Sequence, residues 1–339
     1  MSDADSLMNP SARRVSHEDR VATLRSRIDD VLPSLVEGQT PAVLYDAVEH
    51  VLQAGGKRVR PILLLLVAES YGASAERALP AALAVEVFHN FTLVHDDLMD
   101  EDEERRGAPT VHEKWDTGTA VLTGDLMMGL SYDLLGRVEG TDAEALYSAY
   151  HPMVEHLCAG QALDASFEAE DAVSVEAYLD MIDRKTGALL SAAFELGGII
   201  GGAPASDQER LATAGRLVGR AFQIQDDLLD LTASDEEWGR GTGGDLVAGK
   251  KTFLTLRALE RTEGTEHEWF ARLVSDGGLP RDDVPEARDR MADLGIFDEA
   301  QDAVRSYTEQ AHRHLHDLPE TPAAETLFWL LDHLQGRDY

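Results

Sequence analysis

The chain has 339 residues, with 63 acidic and 30 basic side chains and a formal net charge of -33. Phosphate backbones and anionic membrane surfaces repel such a chain, which excludes nucleic acid as an expected partner. Hydrophobic residues make up 43% and are spread along the whole length, so disorder is excluded and a large core is expected.

In chain order, residues 1–17 lack an apolar run and read as a flexible lead-in to one domain over residues 18–339. Apolar residues then recur at three- and four-residue spacings, which predicts helices over Tyr45–Gln53, Pro61–Glu69 and Leu79–Leu98. The same period returns in Ala120–Leu135, Ala143–Glu168, Ser174–Ile200, Asp207–Leu231, Lys251–Leu259 and Thr321–Leu334. Breakers separate these runs at Gly55-Gly56, Gly107-Ala108-Pro109, Gly201–Pro204 and Gly239–Gly249. No run of period-two alternation separates them, so the fold class is all-α. The segment Asp276–Asp293 is polar and Pro-broken, and carries the weakest helical pattern. The longest aliphatic run, Ile62–Ala68, falls far short of the ~20 residues of a membrane span. Cys158 is the single cysteine, so neither a disulfide framework nor a thiolate metal site is available. A cytoplasmic protein, not an integral membrane protein, is expected.

The basic residues are lopsided. Only Lys57, Lys114, Lys185, Lys250 and Lys251 are lysine; the rest are arginine. Many acids with few lysines resemble protein surfaces from salt-loving archaea, where concentrated salt shortens the Debye length to roughly 3 Å or less and screens self-repulsion.

Two acidic clusters carry the chemistry, Asp96-Asp97-Leu98-Met99-Asp100 and Asp226-Asp227-Leu228-Leu229-Asp230. On a helix, residues i and i+4 share a face about 6 Å apart along the axis, so Asp96 pairs with Asp100 and Asp226 with Asp230. Such pairs suit Mg²⁺, which takes one or two protein carboxylates and fills its shell with water and phosphate. With 34 aspartates in 339 residues, one match is close to what chance supplies and reads as a solvated helix face. Two matches, each ending a strongly apolar run, are a different matter, because carboxylates continuing a core-facing stripe require cationic company.

Cations are present where anions would need them. Gly55-Gly56-Lys57-Arg58-Val59-Arg60-Pro61 is a turn opening into a helix, with glycines that let the backbone approach a phosphate and three cations in four positions. Arg105-Arg106 follows the first acidic cluster, Lys185-Thr186 lies at a helix end, and Lys250-Lys251 closes the Gly-rich loop. Four of the five lysines thus fall in these short motifs, which favours phosphate binding over surface decoration.

The stretches GGKRVRP, EVFHNFTLVHDDLMDEDEERRG, LTGDLMM, GQALDASFE, MIDRKTGALL, GRAFQIQDDLLDL and GDLVAGKKT, over roughly residues 45–259, together resemble the trans-prenyl diphosphate synthases of the polyprenyl synthetase family. That resemblance implies an isoprenoid synthase fold, a helical bundle around a central cavity with the two aspartate motifs on opposite walls, and a homodimer. It implies a Mg²⁺-dependent transferase, with two or three ions, that joins isopentenyl diphosphate to allylic diphosphates.

Carried over by position, Lys57, Arg60 and His89 would grip isopentenyl diphosphate, assisted by Arg106. Arg105, Lys185, Thr186, Gln223 and Lys250 would grip the allylic diphosphate. Asp96, Asp100 and Asp226 would be the direct metal ligands, supported by Asp97, Asp227 and Asp230. A lone helical histidine is more often a core residue, and it is the family position of His89, seven residues before Asp96, that favours a ligand role. The chain departs from the family at Gly239-Arg240, where Gly-Lys is usual; arginine keeps the charge but is not equivalent at a tight site.

Phe91 lies five residues before Asp96, about 7.5 Å deeper along the helix, and Phe88 lies one turn lower. An aromatic at the fifth position, with Thr92 rather than a second aromatic at the fourth, resembles archaeal synthases that make geranylgeranyl diphosphate. Farnesylgeranyl and farnesyl diphosphate are the alternative products. A terpene cyclase would carry a different second motif and lack GGKRVRP; a regulatory subunit would have lost an aspartate motif or the cationic grips.

Overall fold

The computed structural model describes residues 10–170, 172–233, 242–275 and 277–336. The all-α class expected from the sequence is observed, with a two-stranded hairpin as the sole sheet among the described residues. In chain order the first helices are α1 (Pro10–Val31), α2 (Ala42–Gln53), α3 (Val59–Ser70) and α4 (Ala75–Met99). The hairpin β1 (Glu104–Arg105) and β2 (Ala108–Pro109) follows, then α5 (Val111–Lys114), α6 (Thr117–Leu135), α7 (Ala143–Ala169), α8 (Val175–Ile182), α9 (Ala188–Gly201) and α10 (Ala205–Thr232). Further helices complete the chain, among them Gly244–Val247, Phe253–Arg261, Gly264–Ser275, Val284–Asp293, Ile296–His314 and Pro322–Gly336.

The chain forms two compact units interleaved in sequence. The first comprises the residues up to Tyr150 together with Ala193–Glu209 and Asp317–Leu330; the second comprises His151–Ala192, Arg210–His316 and the residues from Leu331 on. Helix α1 begins at Pro10, inside the segment read as a lead-in.

The first unit is organised by α3 and α4. The aliphatic run Ile62–Ala68 lies in α3 and is buried throughout, so it is a core helix covered on all sides. Helix α4 is capped by Ser74, whose side chain accepts from Arg77 N, and it too buries residues on every face, from Ala75 to Asp97. A helix apolar all round belongs in a core, not at a surface. Helix α6 lies close against α4: a Cβ at Gly124 would come within 2.2 Å of the His95 ring, so a side chain there would push the two helices apart.

The predicted run Ser174–Ile200, which begins in the second unit and passes into the first at Ala193, is interrupted. It divides into α8, a π-turn over Asp183–Gly187, and α9. The weak segment near residue 280 is a 3₁₀ turn, Arg281–Asp283, followed by the helix Val284–Asp293.

Candidate active site

The turn before α3 brings cations to one end of the first unit. Gly55 and Gly56 adopt φ of 75° and 140°, and Arg58, unusually for a residue with a side chain, adopts a φ of 53°. This conformation sends Arg58 inward. Its guanidinium donates to Asp29 at 2.8 Å, to Glu86 at 2.6 Å and to the Leu52 carbonyl at 3.1 Å, with only 2% of the side chain exposed. Burial opposes its charge, but Glu86 and Asp29 more than offset that and hold it above the ordinary arginine range. Arg58 is therefore the structural anchor of the turn, while Lys57 is exposed and Arg60 half-buried.

Arg60 donates to His89 Nε2 at 3.3 Å. Burial lowers the Arg60 pKa to about 10, Glu86 resisting and Arg106 adding to the shift. Burial, followed by the charges of Arg60, Arg106, Arg105 and Arg58, pushes His89 well below the usual imidazole range. His89 is thus a neutral ring that accepts from one arginine in a cationic neighbourhood. Arg106, held on the hairpin at a φ of 55°, donates to the Gly55 carbonyl, which brings it to the same turn.

The first acidic cluster ends α4. Asp96 is half-buried and Asp100, the C-cap, is exposed. Asp97 is 5% exposed and pairs with Arg105, which also reaches Asp102 at 3.2 Å. Burial raises the Asp97 pKa, and Arg105 counters it in part. A small pocket lined by Asn90, Leu93, Asp97, Arg105 and Arg106 opens beside the pair.

Below the cluster, Phe91 meets Phe88 edge to face at 5.0 Å between centroids, and Phe88 meets Tyr150 at 5.6 Å. Tyr150, fully buried, in turn meets Tyr132 at 5.2 Å. Phe88 and Phe91 are buried and Thr92 is half-buried, its hydroxyl turned back on the His89 carbonyl at 2.7 Å.

The second cluster lies in α10. Asp227, 3% exposed, accepts from the Tyr178 hydroxyl, from Gln223 Nε2 at 3.2 Å and from Phe253 N at 3.0 Å. Burial, reinforced by the charge of Asp245, pushes its pKa up to about 7 against those hydrogen bonds. Thr186 donates to Gln223 Oε1 at 3.0 Å, so Thr186, Gln223 and Asp227 form one chain of hydrogen bonds. Asp230 accepts from Asp245 N at 3.1 Å, and Asp226 is half-buried. Lys185 sits in the π-turn and donates to Asp164 at 2.6 Å. That turn is set by close backbone approach: a Cβ on Gly160 would stand 2.4 Å from Lys185 N, and one on Gly219 would stand 2.6 Å from the Gly187 Cα. Asp183 anchors the turn through Arg220, at 2.6 and 2.7 Å. Lys250 is exposed, and Arg240 lies outside the described residues.

Sequence reasoning missed Arg58 as the anchor, Tyr178 as the donor to Asp227, and Asp164 as the partner of Lys185. Asp164 was visible inside GQALDASFE, and Tyr178 stands seven residues, two helical turns, before Lys185. Among the described residues no three carboxylate, imidazole or thiolate groups close into a metal cage. The paired aspartates nevertheless fit Mg²⁺, which needs only one or two protein carboxylates when phosphate completes its shell.

Cationic turns and paired carboxylates are the side-chain types that a diphosphate and its counter-ion call for. The polyprenyl synthetase family model matches residues 41–291. Over 323 residues the chain is 35% identical to the geranylgeranyl diphosphate synthase of Methanosarcina mazei, covering 95% of this chain and 98% of the relative. It is 37% identical over 342 residues to the geranylfarnesyl diphosphate synthase of Natronomonas pharaonis, covering 95% and 98%. The crystal structure of geranylgeranyl pyrophosphate synthetase from Pyrococcus horikoshii superposes with a TM-score of 0.89 at 36% identity, covering 95% of this chain and all of that one. The chain belongs to the polyprenyl synthetase family, and it is a prenyltransferase.

Proposed function

We propose that the chain condenses isopentenyl diphosphate head to tail with allylic diphosphates and releases geranylgeranyl diphosphate for isoprenoid ether lipids. The observation that carries this reading is the cradle before α3, where a neutral His89 and Arg60 are gathered beside a turn pinned by the buried Arg58–Glu86 pair. Lys57, Arg60, His89 and Arg106 hold the diphosphate of isopentenyl diphosphate; Arg105, Lys185, Thr186, Gln223, Arg240 and Lys250 hold that of the allylic substrate.

Asp96, Asp100 and Asp226 would hold Mg²⁺, supported by Asp97, Asp227 and Asp230. A metal held there would supply the positive charge that offsets the diphosphate's negative charge when the C–O bond breaks. Lys185 and Arg105 take up the negative charge that grows on the departing group. The double bond of isopentenyl diphosphate attacks the allylic cation, and the proton leaves to the released diphosphate, so His89 orients substrate and need not act as a base.

The edge-to-face rings Phe91, Phe88 and Tyr150 support a twenty-carbon stop. A twenty-five-carbon product is the second reading, favoured by the likeness to the Natronomonas pharaonis enzyme. The net charge of -33 supports a cytosol of high salt, and a homodimer is the working assembly. Among the described residues no helix is long and apolar enough to cross a membrane.

The test is a condensation assay with Mg²⁺ in molar KCl, offering dimethylallyl, geranyl or farnesyl diphosphate and sizing products by mass spectrometry. A twenty-carbon product is expected. A longer product selects the second reading, and no condensation by folded protein with any starter overturns both.

A further inference from the structure

Of the five lysines, four lie in the diphosphate-binding motifs; Lys114 does not, and the substrate reading gives it no task. Its ammonium donates to His50 Nδ1 at 3.1 Å and stands 4.7 Å over the ring of Trp115. The other nitrogen of His50 meets the Pro109 carbonyl at 2.9 Å, and the His50 ring packs edge-on to Trp115 at 5.4 Å. An ammonium can only donate and a carbonyl can only accept. His50 therefore accepts at Nδ1 and donates from Nε2, which fixes a single neutral tautomer.

Pro109 is the strand residue paired with Glu104 across the hairpin, and the next pair is Ala108 with Arg105. The hairpin is thus tied to the end of α2 twice, through Arg106 on the Gly55 carbonyl and through His50 on the Pro109 carbonyl. We propose that Lys114 and His50 form a positioning relay that latches the β1–β2 hairpin to α2 and so aims Arg106 at the isopentenyl diphosphate cradle. Neither residue touches substrate.

The inference rests on the reading that Arg106 grips isopentenyl diphosphate, so the experiment separates the two. Steady-state kinetics of the full chain are measured for His50→Leu, Lys114→Met, the double variant, His50→Gln and Arg106→Ala. Each single relay variant is expected to raise KM for isopentenyl diphosphate about fivefold, the loss of one ordinary hydrogen bond, with kcat within about twofold of wild type. The double variant should be no worse than either single, because two members of one relay are not additive. His50→Gln should retain a near-normal KM, since an amide can accept from Lys114 and donate to Pro109. KM within about twofold of wild type in both singles, or multiplied effects in the double, would overturn the relay while a raised KM in Arg106→Ala leaves the substrate reading standing. A normal KM in Arg106→Ala overturns the substrate role of Arg106 and the relay with it. Melting temperatures within about 2 °C of wild type are expected throughout, and a KM effect that tracks lost stability instead would also overturn the relay.

Discussion

The two aspartate clusters share a sequence pattern and differ in how their middle carboxylate is satisfied. In each, the first aspartate is half-buried and the second buried. Asp97 is met by a cation, Arg105, delivered from a hairpin that follows its helix. Asp227 is met by neutral donors, the Tyr178 hydroxyl, the Gln223 amide and the Phe253 backbone, which do not outweigh burial and the charge of Asp245, so its pKa is pushed up to about 7. The third aspartate diverges as well: Asp100 is an exposed cap, whereas Asp230 is 6% exposed and accepts from the backbone of Asp245 in the helix Gly244–Val247. A charged partner compensates a buried charge directly, whereas neutral dipoles compensate it in part and leave the proton to finish the task.

The largest effects should come where the clusters are alike. Asp96→Asn and Asp226→Asn should each cut turnover about a hundredfold or more, the usual loss for removing a group that stabilises developing charge. Near wild-type turnover in both would remove the aspartates from the metal site. Asp97→Asn and Asp227→Asn should then separate the clusters. The first leaves Arg105 with Asp102 as its carboxylate partner and should cost about 2 kcal/mol, below the 3–5 of a fully enclosed pair because Arg105 keeps 22% exposure. The second should cost about 1 kcal/mol or less, because a neutral network can invert: Gln223 can rotate its amide, and the Thr186 hydroxyl can accept as well as donate. Chemical denaturation of both variants at neutral pH reads the difference, and equal losses would erase the contrast.

A third change probes what lies beneath the first cluster. Phe91→Ala should lengthen the main product by one five-carbon unit, with Phe88, about one 5.4 Å turn below, as the next stop. Mass spectrometry of the products decides it, and an unchanged distribution would count against the aromatic floor. The smallest effect concerns His89, whose folded pKa lies well below its ordinary value of 6.5. Below that value the unfolded chain takes up a proton that the folded chain refuses, so stability falls as pH falls from about 6.5 toward the depressed folded pKa. His89→Gln lacks this titration, and its melting temperature should gain on that of wild type between about pH 7.5 and about pH 5.5. A constant gap would mean that His89 titrates normally.

Helix periods and the motif register were legible because they repeat. Predicted runs such as Leu79–Leu98 and Asp207–Leu231 lie inside α4 and α10, within a few residues of the observed ends. The contents of the turns were not legible. Three cations in four positions gave no indication that Arg58 alone turns inward, since that depends on one residue adopting a left-handed conformation. Strands of two residues are too short to show alternation, so the hairpin carrying Arg105 and Arg106 passed as loop. The helix Ile296–His314 was missed although its buried positions Ile296, Ala300, Val304 and Thr308 recur at helical spacing, because small and polar residues share that stripe with few large apolar ones. The π-turn at Lys185 comes from backbone approaches at Gly160 and Gly219, contacts far apart in sequence.

Arg58 ties the order of synthesis to the completion of the proposed cradle. Its three partners, Asp29, Leu52 and Glu86, belong to α1, the end of α2 and α4. A nascent chain that has made Lys57, Arg58 and Arg60 has the cations but not the cradle, because the anchor is complete only after Glu86 has been made and α4 has docked. The proposed phosphate grip is in this sense a product of tertiary folding, withheld until the first unit has gathered the helices that hold it.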